Sequence, residues 1–180
     1  MNAQQTGLDP ARSVRGRAAD KIIVVFSDSH GDPSNMIRVM KRYPTAECVI
    51  HLGDGADDTY YLPLPVTTGL LCVRGNCDLF SSEPAYNRVN ICGLDIIMSH
   101  GSAYGVKYGA DTFEAHALAS GCDIALFGHT HKPYKNVLSA EGKSVTVFNP
   151  GSISRPASGP PSYGLITVTD RGCEIKHVVL

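Results

Sequence analysis

The chain has 180 residues, 43% of them hydrophobic, with 18 Gly and 11 Pro; this is the composition of a turn-rich globular protein and excludes a disordered or fibrous one. Sixteen Lys plus Arg against 17 Asp plus Glu leave a net charge of −1, so no global attraction to nucleic acid or membrane operates, although a local basic patch stays open. The length suits a single domain that removes roughly 70% of its unfolded surface from water.

Six cysteines (Cys48, Cys72, Cys77, Cys92, Cys122, Cys173) are spread mostly through apolar runs, with no Cys-x-x-Cys pair among them. Five of the six read as buried small hydrophobes. With no secretory segment and no 18-residue apolar span, this usage predicts a reducing, cytoplasmic setting and no membrane association.

Residues 1–20 are polar, contain three arginines and show no apolar periodicity, which predicts a disordered leader ahead of one domain over residues 21–180. A transit peptide is the alternative: Arg12, Arg15 and Arg17 favour it, while Asp9 and Pro10 interrupt any amphipathic helix. Lys21 to Phe26 is a β-branched run that predicts a buried strand. Met36, Ile37, Met40 and Tyr43 then recur at helical spacing until Pro44. Two further strands are predicted over Cys48 to Leu52 and Leu70 to Val73.

From Ala85 onward hairpins dominate. Tyr86 to Cys92 and Leu94 to Ser99 flank Gly93. Asp111-Thr112-Phe113-Glu114 has the spacing of a capping box, opening a helix that Gly121 closes. Cys122 to Phe127 is a buried strand. Val137-Leu138 and Val145 to Phe148 flank Glu141-Gly142 as a second hairpin, before a Gly, Pro and Ser-rich loop over Asn149 to Ser162. Tyr163 to Thr169 and Cys173 to Val179 form the last hairpin around Asp170-Arg171-Gly172. The alternating first half and hairpin-rich second half predict a four-layer α/β/β/α sandwich, two mixed sheets flanked by helices.

Five strand-like runs end in residues able to bind metal: Asp28/His30, Asp54, Asn76, His100 and His129/His131. Each ending alone is also what a polar turn supplies. Together they place oxygen and imidazole donors at one sheet edge, where open α/β sheets carry their sites. Mixed oxygen and nitrogen donors suit Mn, Fe, Ni, Zn or Co rather than calcium. Seven donors exceed the needs of one such ion, and two ions sharing Asp54 would use them all.

The order Asp28-x-His30, Gly53-Asp54, Gly75-Asn76-Cys77-Asp78, His100-Gly101 and Gly128-His129-Thr130-His131 resembles the calcineurin-like metallophosphoesterases across most of residues 21 to 155. The short length, Cys77 and Asn149-Pro150-Gly151-Ser152 further resemble the small YfcE-like phosphodiesterase branch. That resemblance implies two divalent ions, manganese foremost. Asp28, His30, Asp54 and His131 would hold the first; Asp54, Asn76, His100 and His129 would hold the second. It also implies attack by a metal-bridging hydroxide on a small phosphodiester. Arg74 and Arg155 are either phosphate contacts or surface arginines.

Two positions depart from the wider family pattern. Cys77 stands where many members carry a His that protonates the leaving oxygen, and a thiol is a poor donor for that role. Ser102 replaces a His that often follows His-Gly, a position outside the ligand set. His51 reads as a hydrogen-bonded strand residue or an indirect support of the site, and His116 and His177 fall in no motif. The competing readings are a non-catalytic scaffold resembling the retromer small subunit, and a nuclease. The scaffold loses site residues, including the Asn that here is Asn76. A short, nearly neutral chain without an added nucleic-acid module suits a small diester better than stable nucleic-acid binding. The oligomeric state is left open, a homo-oligomer included.

Overall fold

The computed structural model describes residues 20–140 and 142–180, so the leader expected over residues 1–20 lies outside the described residues apart from the exposed Asp20. In chain order the elements are β1 (Lys21–Phe26), α1 (Ser34–Met40), β2 (Cys48–His51), β3 (Gly69–Cys72), β4 (Tyr86–Ile91), β5 (Leu94–Ser99), α2 (Asp111–Ser120) and β6 (Ile124–Leu126). They continue with β7 (Pro133–Ala140), β8 (Lys143–Pro150), β9 (Ser162–Thr169) and β10 (Gly172–Val179).

The strands form two five-stranded sheets, ordered β10-β9-β1-β2-β3 and β4-β5-β6-β8-β7. In the first, β1, β2 and β3 run parallel and the β9–β10 hairpin pairs antiparallel to β1. In the second, β5, β6 and β8 run parallel, with β4 and β7 antiparallel on the two edges. The strand alternation of β1 shows how the layers are built. Ile23 and Val25 enter the core shared with Ile50, Ile96, Met98, Leu126 and Phe148 of both sheets. Val24 and Phe26 point the other way, onto Met36, Val39 and Met40 of α1. On the far side, α2 places Phe113 and Ala117 against Ile97, Ala125 and Val147. Helix, sheet, sheet and helix are thus the expected four layers. Burial on both faces is why the parallel strands read as unbroken apolar runs.

Several local expectations are corrected. Helix α1 stops at Met40 rather than running on to Tyr43; the N–H groups of Arg42 and Tyr43 bond back to Val39 and Met40 in a tightened turn, since the ring of Pro44 disfavours helical geometry just before it. The capping box at Asp111 does not form. Ala110 is the N-cap without a side-chain bond, and Glu114 is drawn away to accept from Tyr134 Oη at 2.5 Å and Asn136 Nδ2 at 2.8 Å. Three cysteines are buried rather than five: Cys77 and Cys173 are exposed, and Cys92 sits half-buried in the β4–β5 turn at φ 56°. A 3₁₀ helix over Ala56–Tyr61 fills the β2–β3 connection, where no element was expected. The β7–β8 hairpin is longer at both ends than Val137-Leu138 and Val145 to Phe148 suggested. Among the described residues, no helix is long and apolar enough to cross a membrane.

Candidate metal centre

Because β1, β2, β3, β5 and β6 are all parallel within their sheets, their carboxyl ends deliver the five polar endings to one edge. The ladders continue just past the strands: Asp28 N–H bonds Gly53 O, His30 N–H bonds Asp54 O, and Gly128 N–H bonds His100 O. These bonds fix the loops against each other. Of the six non-glycine residues with positive φ among the described residues, five are Asp28, His30, Asp54, His129 and His131, at 49–68°. Each such left-handed residue costs roughly 1 kcal/mol or more, which persists only where the surroundings enforce it. Glycine is required where two loops touch. A Cβ on Gly75 would stand 2.1 Å from Asp54 Oδ1, and one on Gly53 would stand 2.4 Å from Gly75 N.

The donors gather into overlapping groups. Ligand atoms of Asp28, His30 and His131 lie within 4.8 Å of one another, as do those of Asp54, His100 and His129, and those of His30, Asp54 and Cys77. His30 Nε2 faces His131 Nε2 at 3.1 Å, and His100 Nε2 faces His129 Nδ1 at 3.1 Å. Two of these rings have their opposite nitrogen occupied. His100 Nδ1–H donates to Leu52 O at 2.7 Å and His131 Nδ1–H donates to Arg155 O at 2.5 Å, which leaves Nε2 of each ring as a lone-pair donor aimed into the site.

Asp28 is fully buried. Its Oδ2 accepts from Ser27 Oγ at 2.6 Å and from His129 N–H at 3.1 Å, but Oδ1 has no hydrogen-bond partner. His131 Nε2 approaches Oδ1 to 3.2 Å, yet with the Nδ1 proton committed to Arg155 it donates there only as an imidazolium. An orphaned, buried carboxylate oxygen among facing imidazole lone pairs is a costly arrangement that a cation resolves. The donors present therefore fit divalent transition metals, and the oxygen–nitrogen mixture suits the manganese-to-zinc series.

The electrostatics agree. Burial acts to raise the Asp54 carboxyl, but His100 and the Cys77 N–H outweigh it and hold the group well below the usual carboxylate range. Contact with Asp28 raises His131, whereas burial lowers His30 and His129. His100 is raised: burial opposes, and Asp54 and Asp28 prevail. Cys77 is pushed up by burial and then by Asp54, so its thiol keeps its proton at neutral pH.

The remaining expected residues stand around this cluster. Asn76 is exposed on the turn after β3, with Nδ2 3.3 Å from Cys77 Sγ. Arg155 borders the depression formed with His30, Asp54 and Cys77, and its Nη2 donates to His30 O at 3.3 Å. Arg74 is exposed and anchored by its N–H to Pro84 O. Ser102 is exposed in a short 3₁₀ turn. His51 is wholly buried, with Nε2 3.1 Å from Ser29 Oγ and Nδ1 accepting from Gly53 N–H at 3.2 Å, so it is both a strand residue and a support of the loops. His116 packs among Tyr86, Tyr104 and Phe113. His177 stacks on Phe148 and bonds Asn149 O.

Sequence reasoning missed the residues that hold the loops. Asp78 accepts four main-chain N–H groups, from Asp54, Gly55 and Gly75 at 2.8 Å and from Ala56 at 3.2 Å; against the pull of burial, they keep its carboxyl below the usual range. Asp58 takes Ser29 Oγ–H at 2.6 Å and Gly31 N–H at 2.8 Å. Asn149 Nδ2 donates to Gly128 O, and Ser152 Oγ donates to Asp28 O, both at 2.8 Å. The sequence signal for Asp78 is its place in Gly75-Asn76-Cys77-Asp78, and for Asn149 and Ser152 their place in Asn149-Pro150-Gly151-Ser152.

The family model described as the calcineurin-like phosphoesterase superfamily domain matches residues 22–171. The phosphodiesterase YfcE of Escherichia coli K12 is 28% identical over 169 residues, covering 80% of this chain and 86% of its own. A solved structure from Streptococcus pneumoniae TIGR4, described as a predicted phosphoesterase, aligns with TM-score 0.70 and 25% identity over 89% of this chain and 90% of that one. Vacuolar protein sorting 29 from Cryptosporidium parvum aligns with TM-score 0.65 and 21% identity over 89% and 98%, a likeness of fold alone. With the match spanning the whole donor set, the chain belongs to the calcineurin-like phosphoesterase superfamily.

Proposed function

We propose that the chain hydrolyses a small phosphodiester at a centre of two divalent transition-metal ions, manganese foremost. The observation that carries this reading is the pair of facing imidazole couples around buried Asp28 and Asp54, with Asp28 Oδ1 left without a hydrogen-bond donor. In this reading Asp28, His30, Asp54 and His131 hold one ion, and Asp54, Asn76, His100 and His129 hold the other. Bound there, the ions supply Lewis acidity and make coordinated water acidic enough to serve as nucleophile near neutral pH. The chain's own contributions are then to bind, to orient and to place charge.

His100 and His131 are held in the required tautomer by Leu52 O and Arg155 O. The Arg155 guanidinium borders the depression and would meet phosphate oxygens there. The Cys77 thiol keeps its proton but donates weakly, so esters with good leaving groups are the natural substrates. Asn76, which the scaffold loses, is kept beside the other six donors, and that favours catalysis over a purely structural scaffold. Near-zero net charge favours a small diester over a nucleic-acid polymer. All six cysteines are free, which supports a cytoplasmic location.

The test is hydrolysis of bis(4-nitrophenyl) phosphate by metal-free protein reloaded with Mn, Ni, Fe, Zn or Co, with bound metal quantified. More than one equivalent per chain together with turnover is expected. A metal-replete protein with no diester turnover refutes the proposal.

A further inference from the structure

A groove of about 560 Å³ opens beside the metal centre. One wall comes from Phe127, Thr130, Lys132 and Tyr134, the residues that precede, separate and follow His129 and His131. Most of the rest of the lining is the segment from Val106 to Ala110, which leads on from His100-Gly101. Gly101 lies so close beneath it that a Cβ there would stand 2.9 Å from Val106 Cγ2. Both parts of the lining are therefore built from chain that directly adjoins the loops of His100, His129 and His131.

Its chemistry is divided. Phe127 and Val106 are buried and form an apolar floor, with the half-buried Tyr134 ring packed against Phe127 at 5.7 Å between centroids. Lys107, Lys132 and the almost fully exposed Tyr108 stand at the rim. Among the described residues no carboxylate lines it: the nearby Glu114 is held by Tyr134 Oη and Asn136, and Asp111 Oδ2 would stand 3.3 Å from a Cβ on Gly109. Apolar and aromatic walls of this volume take a planar ring system, and ammonium groups at the rim take an anion.

We propose that this groove is the subsite for one ester substituent of the substrate, a nucleoside-sized planar group carrying an anionic group of its own, which Lys107 and Lys132 bind. The proposal rests on the diesterase reading for its orientation: the scissile phosphate lies at the donor cluster, and the ring lies between Tyr134 and the Val106 to Ala110 segment. It names a substrate class, a diester with a second negative charge on its non-leaving substituent.

The test compares thymidine 5′-(4-nitrophenyl phosphate) with the same ester bearing a 3′-phosphate, using the full metal-loaded chain and Lys107→Ala/Lys132→Ala. In the wild type kcat/KM is expected to be about tenfold higher for the 3′-phosphorylated ester, the scale of one or two charge-assisted contacts at an exposed site. In the double variant the ratio is expected to fall to near one. A wild-type ratio at or below one, or a ratio unchanged by the double substitution, overturns the proposal.

Calorimetric titration of metal-free protein with thymidine 3′,5′-bisphosphate separates this from the diesterase reading. Binding by the wild type that weakens about tenfold in the double variant supports the groove even if neither ester is hydrolysed, in which case the diesterase reading falls. Absence of binding, or binding that ignores the lysines, overturns the groove even if both esters turn over. Both lysines are exposed, so matching thermal melts check that the variant folds.

Discussion

The main-chain N–H of Cys77 donates to Oδ1 of Asp54 at 2.7 Å, which leaves Oδ2 of that carboxylate 3.4 Å from His100 Nε2 and 4.0 Å from His30 Nε2. One oxygen is fixed by the turn after β3, and the other faces both halves of the donor cluster. In the proposed two-ion reading, that second oxygen would be the shared ligand. Asp54→Ala is therefore expected to remove both metal equivalents together. Removing an outer partner of a ligand typically costs 10- to 100-fold, so loss of the shared ligand itself should lower diester turnover by more than about 100-fold. Metal analysis of the purified variant checks this, and two retained equivalents would show that Asp54 does not bridge.

Asp78 touches no donor atom yet gathers four N–H groups from the loops that carry Asp54 and the Gly75 turn. In Asp78→Asn, one acceptor oxygen becomes an NH₂ that meets N–H groups head on. A loss of about 1–3 kcal/mol in metal-free stability is expected from the unpaired donors. Metal affinity should fall about 10- to 100-fold in the same variant, through the loosened Asp54 loop. Urea unfolding and metal titration measure the two effects. Normal affinity with reduced stability would mean that Asp78 serves the fold but not the site.

The donors were legible in the sequence because each sits directly after an apolar run, and parallel strands bring all carboxyl ends to one edge. Asp28, His30, Asp54, His100, His129 and His131 needed only that rule. Asp78, Asp58 and Ser152 were not legible in the same way. Their function is to accept from or donate to main-chain groups of other loops, and a carboxylate or hydroxyl in a Gly-rich turn looks the same whether it does so or faces solvent. Glu114 misled for the same reason: its spacing from Asp111 fits a local cap, and Tyr134 and Asn136, about twenty residues on, compete for it successfully. The groove depends on where Val106 to Ala110 comes to rest against Lys132 and Tyr134, which no local pattern encodes.

His51 provides a pH signature. Burial lowers its pKa from 6.5 to about 4, so the folded protein keeps the ring neutral where the unfolded chain protonates it. The stability tied to this neutral ring is fully present above about pH 6.5 and is lost as pH falls toward about 4, to a total of about 3 kcal/mol. Urea unfolding of metal-free wild type and His51→Gln between pH 7.5 and 4.5 isolates it. The difference in stability between the two proteins should shift in favour of the variant as pH falls through that window. A difference that stays constant would show that His51 does not titrate on unfolding.

Cys77 holds the last lever on the chemistry. Its thiol borders the depression with His30, Asp54 and Arg155 and keeps its proton, but sulfur donates a hydrogen bond poorly. An imidazole at the same position titrates near neutrality and can give a proton to a departing alkoxide, a contribution typically of about 10²- to 10⁴-fold. That assistance matters little for a nitrophenolate, which departs without a proton. In Cys77→His, kcat/KM for an alkyl diester or an alkyl monoester is therefore expected to rise relative to bis(4-nitrophenyl) phosphate, by about 100-fold in the ratio at neutral pH. The slope of log kcat against leaving-group pKa reads the same effect and should become shallower. An unchanged slope, with metal content equal to wild type, would mean that proton delivery to the leaving oxygen is not controlled from this position.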